Sequence, residues 1–339
     1  MGHEIDLAKG DWMVSGNNQV PWHSIGTVVA GLLTSKECLV QARLAWKTLK
    51  TPLFFRDDKG NECVAEDSFA TVRSDTNGFL GTVGARYTPI DNESAMDILD
   101  PVIGDKASYE TAGSLRGGKI VWMLAKVEKE WMIAGDSFRT YCLVYLSHDG
   151  KHPVTVRFVT VRVVCANTLA AACNGVKAQV SIRHTRNFAE KIEQAHKILG
   201  LQDENTREFK KIMESLAKKK VSESYQWDFV NTLIPSDDRQ VKWNDKPQGA
   251  ERARQDILTL ARNGAGNTGK TRYDLINGVT DYVDHSRGQR VHDGATKEEK
   301  TKPEYAARRA HAESELRFES SLFTTGAGMK ERALEILMN

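Results

Sequence analysis

No stretch of this 339-residue chain approaches the roughly 18 to 20 apolar residues that span a bilayer, so a helical membrane protein is excluded. Excess charge of either sign is also missing: 47 Lys and Arg face 45 Asp and Glu, a net of +2. No whole-molecule attraction to nucleic acid or membrane follows from that balance, and any basic surface must be local. Cysteine is sparse. Cys38, Cys63, Cys142, Cys165 and Cys173 are scattered, odd in number and without a C-x-x-C pair. Zinc sites draw on Cys or His about two to five residues apart. His148 and His152 have such a spacing, but Gly150 and Pro153 make "SHDGKHP" a polar hairpin turn instead of a ligand-bearing helix. The polar N-terminus, "MGHEIDLAKGDW", lacks the apolar core of a signal peptide, which makes the cytoplasm the expected location. With 40% hydrophobic and 27% charged residues, the chain has the composition of a soluble globular protein of one large or two ordinary domains.

The hydrophobic pattern gives an α+β protein. Residues 1–66 form an N-terminal approach region, with strand character in "WHSIGTVV" and a helix in "SKECLVQARLAWKTLK" capped by Ser35. An antiparallel strand-rich core follows over about 67–165. Asn77-Gly78 marks a tight hairpin, "DNESAMDILDPVIG" a helix with an Asp/Asn cap, and "KIVWMLAKV", "FRTYCLVYLS" and "VTVRFVTVRVVC" three strands. At "CANTLAAACNG" the pattern turns helical, with Asn167 or Thr168 near the cap. After residue 185 helices dominate: "TRNFAEKIEQAHKILG", "NTREFKKIMESLAKKKV", "GAERARQDILTLARNG" and "YDLINGVTDYVDH". The reading divides the chain into a strand-rich core over 1–200 and a helical region over 201–339, with a charged, mobile segment near 286–304.

"GAGNTGKT", Gly264–Thr271, matches the complete G-x-x-x-x-G-K-T pattern of a phosphate-cradling loop. That loop needs a buried parallel strand running into it and a helix leaving it. Upstream, "ARQDILTLARN" has helical spacing and is interrupted by charges. Only 68 residues remain after Thr271, with no apolar run ending in an Asp that would hold magnesium. A connection between helices is the expected structure, and an NTPase built on this stretch the alternative.

Local basic surface is present elsewhere. Residues 115–191 carry twelve Lys/Arg against five Asp/Glu. Arg and Lys on a sheet face or groove bind phosphate backbones without reading sequence. Phe79, Tyr87, Trp122, Tyr141, Tyr145 and Phe158 lie on neighbouring strands and can stack on bases where they are exposed. Arg157 and Arg162 are separated by an odd number, so on a regular strand only a bulge would bring both to one face. Catalytic constellations are thin. Cys165, at a strand-to-helix junction with His148 and Asp149 upstream, is a candidate nucleophile, against a buried strand end as the alternative. "DYVDH" groups Asp281, Asp284 and His285 on one helical side, as a cation site or as a solvated or salt-bridged face.

Eight stretches run in order from about residue 2 to 285: "GHEID", "PWHSIGTVV", "GFLGTVGARYTPIDN", "YETAGSLRGGKIVWMLAKV", "YLSHDG", "VRVVCANTLAAA", "IRHTRN" and "NGVTDYVDH". Together they resemble the phage/plasmid-like proteins, a family carried by mobile elements and described as a domain of unknown function. The resemblance implies a phage or plasmid setting inside a bacterial host cell. Its sheet-plus-helix core is similar to that of the single-strand annealing recombination proteins, which form oligomeric rings. Those proteins hold single-stranded DNA in a basic outer groove without hydrolysing nucleotide.

The expectation is therefore a non-enzymatic, homo-oligomeric protein that binds single-stranded DNA and anneals complementary strands, with no cofactor and no metal. Its phosphate contacts would come from Arg86, Arg116, Lys119, Arg139, Arg157, Arg162, Arg183 and Arg186, with Tyr87 or Trp122 stacking. Host recombination or replication proteins are candidate partners. The rival readings are the Gly264–Thr271 NTPase, a Cys165-dependent enzyme, and a phage factor that binds a host protein.

Overall fold

The computed structural model describes residues 13–15, 27–28, 34–97, 108–126, 130–162, 167–170, 179–185, 202–235, 247–288, 296, 298–323 and 325–339. Strands come first: β1 (Met13–Ser15), β2 (Thr27–Val28), β3 (Thr48–Arg56), β4 (Glu62–Arg73), β5 (Phe79–Gly84), β6 (Ser108–Leu115), β7 (Ile120–Lys126), β8 (Trp131–Ile133), β9 (Asp136–Ser147), β10 (Val154–Arg162), β11 (Asn167–Ala170) and β12 (Gln179–Ile182). Two short helices, α1 (Ser35–Gln41) and α2 (Asn92–Met96), interrupt them. Among the described residues six helices follow: α3 (Gln202–Lys218), α4 (Glu223–Leu233), α5 (Pro247–Asn263), α6 (Arg272–Asp281), α7 (Pro303–Phe323) and α8 (Thr325–Met338). The chain is an α+β protein with antiparallel sheets first and helices after, as its hydrophobic pattern indicates.

One sheet runs β11-β10-β9-β7-β6-β1-β2, and a second is the three-stranded β3-β4-β5. The outer edge of β10 is shared. β12 pairs Val154–Arg157 and β11 pairs Val159–Arg162. Alternation along β7, β9 and β10 gives the large sheet two apolar faces. Val121, Met123, Cys142, Val144, Val156 and Phe158 join Phe209, Met213, Phe229, Ile257, Ile276 and Leu334 of the helices in one core. Ile120, Trp122, Leu124, Tyr141, Leu143, Tyr145, Val159 and Val161 form a second cluster on the opposite face. Burial on both sides explains the uninterrupted apolar runs of β7 and β9, since a half-exposed strand would alternate. The Tyr273 hydroxyl of α6 donates to Asp136 Oδ2 of β9 at 2.7 Å, tying helix to sheet.

Two local expectations need correction. The stretch expected to turn helical at Asn167 or Thr168 is instead β11, in register with β10 from Val159↔Ala170 to Arg162↔Asn167. Pairing the open edge of β10 outranks the local preference for helix. Helix α1 is capped by Thr34, not Ser35, in a reciprocal box with Glu37, and ends at Gln41, so "TLK" starts β3. Within 286–304, Glu299–Thr301 form a single 3-10 turn and Pro303 opens α7. The hairpin at Asn77-Gly78 is present, with Asn77 at φ 54°. Residues 186–201, expected to be helical, lie outside the described set.

Candidate nucleic-acid interface

The site begins where the small sheet meets the β9–β10 turn. A Cβ on Gly81 of β5 would stand 2.7 Å from the Asp149 Cα, so only glycine lets the strand approach this closely. The Thr71 hydroxyl donates to the His148 carbonyl at 2.7 Å. His148 is fully buried, and burial pushes its pKa down to about 3, so the ring is neutral. Its Nε2–H donates to Asn92 Oδ1 while Nδ1 accepts from the Thr48 hydroxyl, both at 2.8 Å. The tautomer is assigned from Asn92, whose amide donates to Leu44 O and so leaves Oδ1 as the acceptor. With both nitrogens satisfied, His148 is a structural clamp between β3, α2 and β9. His152 closes the turn through its backbone, which donates to and accepts from Ser147 Oγ. The polar hairpin turn expected of "SHDGKHP" is therefore what forms, and no cluster of metal-ligating side chains occurs among the described residues.

Beside this turn lies an open cleft of about 690 Å³. Arg86, Lys151 and Arg183 bring positive charge to it, and Tyr87, His152 and His184 bring rings. The three cationic residues are exposed. The Lys50 ammonium fixes the loop carrying Arg86, donating to Ala85 O at 2.7 Å and Tyr87 O at 2.9 Å. The Thr88 N–H donates to His184 O, joining that loop to the chain beyond β12. Tyr87 and His184 stack with centroids 4.8 Å apart and planes 13° from parallel. Burial, and then the charge of Asp149, raises the Tyr87 phenol. Burial lowers His184 to about 4, opposed in part by the His152 backbone. Both rings are thus uncharged at neutral pH. Neither His184 nitrogen meets a partner in hydrogen-bonding geometry. An acid is also close by, the Asp149 Oδ2 lying 3.6 Å from Lys151 Nζ. The arrangement offers fixed positive charge and flat neutral rings, the requirements of a phosphate-bearing ligand.

Of the residues expected to bind, the fold unites Arg86, Tyr87 and Arg183, and adds Lys151. Arg116, Lys119, Trp122, Arg139 and Arg157 do not line the cleft. Arg116 and Lys119 are half-buried in the β6–β7 turn, where Arg116 has φ 57° and Gly118 packs on Trp46. Arg139 is ion-paired with Glu130, its Nε donating to Oε1 at 2.7 Å. Arg157 is 5% exposed and Trp122 2%, so a contact with phosphate by the first and stacking on a base by the second are both withdrawn. Tyr141, Tyr145 and Phe158 are buried too, leaving Phe79 exposed. Arg162 ends β10, and the unbroken pairing of Thr155–Arg162 with β9 has no bulge to bring it to the face of Arg157. Arg186 and Cys165 lie outside the described residues. Missed from the binding set were Lys151, His152 and His184. Their signal is a histidine beside a cation in two turns, "GKHP" and "IRHTR".

Gly264–Thr271 connects α5 to α6, so two helices flank it. Five of its donors are occupied by one carboxylate. The Asp274 carboxylate accepts the N–H groups of Thr268, Lys270 and Thr271 at 2.9–3.0 Å and the hydroxyls of Thr268 and Thr271 at 3.0 and 2.8 Å. A carboxylate from the first turn of α6 thus stands where a phosphate would, and the stretch is the connection between helices that its flanking sequence predicts. In the "DYVDH" segment, Asp284 lies in a π-helical turn and accepts from Lys330 and Ser321, all within the interior. The carboxylate is neutralised by a buried ammonium, so the salt-bridged alternative to a cation site is the one realised.

A protein-family model described as "Domain of unknown function (DUF932)" matches residues 79–313, which include the cleft and the whole of the large sheet from β6 to β12. Neither the curated proteins nor the solved structures contain a significant match to the chain.

Proposed function

The chain belongs to the DUF932 family, a domain of unknown function, and from its own residues we propose that it binds single-stranded nucleic acid and promotes annealing without consuming nucleotide. One observation carries this reading. Arg86, Lys151 and Arg183 surround a cleft whose rings are uncharged, so the ligand it suits is anionic and flat in part. Phosphodiesters supply the charge, and unpaired bases supply faces that stack on aromatic rings. Annealing needs strands held by their backbones and no group that donates or removes a proton. The same reading places the protein in phage or plasmid recombination, as a homo-oligomer in the cytoplasm of a bacterial host. The resemblance to mobile-element proteins supports that setting. No helix among the described residues is long and apolar enough to cross a membrane.

The test is anisotropy of a labelled oligothymidine across a salt series. Each lost cation–phosphate contact on a single strand lowers the slope of log K against log salt by about 0.7. An Arg86→Ala/Lys151→Ala/Arg183→Ala variant is expected to bind at least about tenfold more weakly, with a slope reduced by about 2. Binding equal to the parent at every salt concentration would remove the cleft from the reading. No binding by the parent at low salt would remove the function.

A further inference from the structure

The small sheet carries a feature that the cleft does not use. Beyond the row Pro52–Phe69, the pairing of β3 and β4 shifts and then resumes at Phe54↔Val64, Phe55↔Cys63 and Arg56↔Glu62. This outer hairpin is exposed along its length. Phe54 and Val64, opposite each other on one face, show 51% and 54% of their surface and Phe55, on the other face, 53%, apolar surface that a soluble protein ordinarily covers. Around them stand Asp57, Asp58, Glu62, Glu66 and Asp67, against Arg56 and Lys59 alone. Asp57 is committed to the turn, accepting from Lys59 and Asn61, and keeps its charge there because those bonds hold its carboxyl below the usual range. The arm is acidic and aromatic. The cleft is basic and lined by rings.

We propose that this hairpin is a docking arm, seated in the basic cleft of a second copy of the chain. The occupant is chosen by charge. An acidic apolar arm repels a nucleic-acid strand and suits Arg86 of the partner subunit, Lys151 of the partner subunit and Arg183 of the partner subunit. The arm does not reach its own cleft. Its root is Lys50, whose ammonium holds the carbonyls on either side of Arg86. The turn at Asp57–Gly60 lies seven or more residues farther along, roughly 20 Å of extended strand. A contact between two different patches of the same chain is heterologous and repeats from copy to copy, closing a ring or extending a filament. Pro52 and the shifted register spoil the outer edge of β3 for strand addition, which leaves side chains as the means of contact. The inference rests on the charge of the cleft and not on what nucleic acid does there, although both ligands compete for it.

Charge reversal tests it directly, in nuclease-treated protein followed by sedimentation velocity. The parent is expected to self-associate at low salt and to become monomeric at about 0.5 M, where screening is nearly complete within a few ångströms. An Asp58→Lys/Glu66→Lys arm variant and an Arg86→Glu/Arg183→Glu cleft variant are each expected to be monomeric at low salt. Mixed together they should assemble again, because each arm then meets a cleft of opposite sign. A Phe54→Ser/Phe55→Ser variant should weaken assembly about tenfold. All these substitutions are at exposed positions, and circular dichroism matching the parent confirms the fold. A parent that is monomeric at low salt, single variants that assemble like the parent, or a mixture that stays monomeric each overturn the arm. Nucleic-acid binding is scored separately on the parent, so either idea can fail while the other stands.

Discussion

Tyr87 and His184 lie nearly parallel, ring centroids 4.8 Å apart, and the pair forms an uncharged patch among the cations of the cleft. The neutrality of His184 has a measurable cost in acid. Its folded pKa is about 4 and that of His148 about 3, both lowered by burial from an ordinary 6.5. Below pH 6.5 the unfolded chain binds protons that the folded chain refuses, so stability present above 6.5 is lost as pH falls toward 4. The loss is at most about 1.4 kcal/mol per pH unit for each histidine. Glu110 acts in the opposite sense, because burial raises its carboxyl and the folded state takes up that proton first. Urea midpoints at pH 7.5 and 5.0 should therefore be compared with those of His184→Phe, which keeps a stacking ring. The variant should lose distinctly less stability on acidification, and an equal loss would show that His184 contributes nothing.

Asp274 gives a second prediction. Asp274→Asn presents an amide to five donors and should destabilise by about 2–4 kcal/mol, because charged hydrogen bonds in a buried site are broken. Lys270→Ala should change stability by less than about 0.5 kcal/mol, since the hydrogen bonds of this exposed residue, N–H to Asp274 and C=O from the Val221 N–H, are made by its backbone and survive the substitution. Magnesium–ATP should shift the melting temperature of neither. Thermal unfolding reads all three.

Lys330 and Asp284 are 1% and 2% exposed at their side chains and share Ser321. Burial lowers the Lys330 pKa, and the Asp284 charge works against that shift. Lys330→Met leaves an uncompensated carboxylate and should cost about 3–5 kcal/mol. Adding Asp284→Leu should restore part of that stability. Denaturant unfolding of the single and double variants measures the coupling.

Two glycines should respond with opposite signs. A Cβ on Gly278 of α6 would come within 2.6 Å of Ile257 O and 2.7 Å of Ala261 N, backbone atoms of α5. Gly278→Ala should therefore destabilise by about 1–3 kcal/mol. Gly328, in α8, has nothing within 4 Å of the added atom. Gly328→Ala should stabilise by about 0.5–1 kcal/mol through lower backbone entropy in the unfolded chain.

Periodicity carried the fold class and most strands, because burial of the large sheet on both faces leaves runs such as "IVWMLAK" without polar breaks. The same double burial defeated the site reading at Trp122 and Arg157. A residue on a strand declares which neighbours share its face but not whether that face is covered. Asn167–Ala170 was misread because its partner, β10, is specified by distant pairing and not by local composition. Arg183 was legible as a cation of the basic region over 115–191, and Arg86, outside that region, as one of the expected phosphate contacts. Their meeting depended on Lys50 holding the Ala85–Tyr87 carbonyls across 35 and 37 residues, a contact with no short-range pattern.

The loop at Gly264–Thr271 carries a wider lesson in its Asp274 carboxylate. A receptor whose ligand is covalently part of the same chain is filled at the moment it folds, at an effective concentration no dissolved competitor can match. Pattern matching detects the curvature of such a loop and the directions of its amides. It is blind to occupancy, because the tenant sits three residues past the final threonine, in sequence that the pattern never reads.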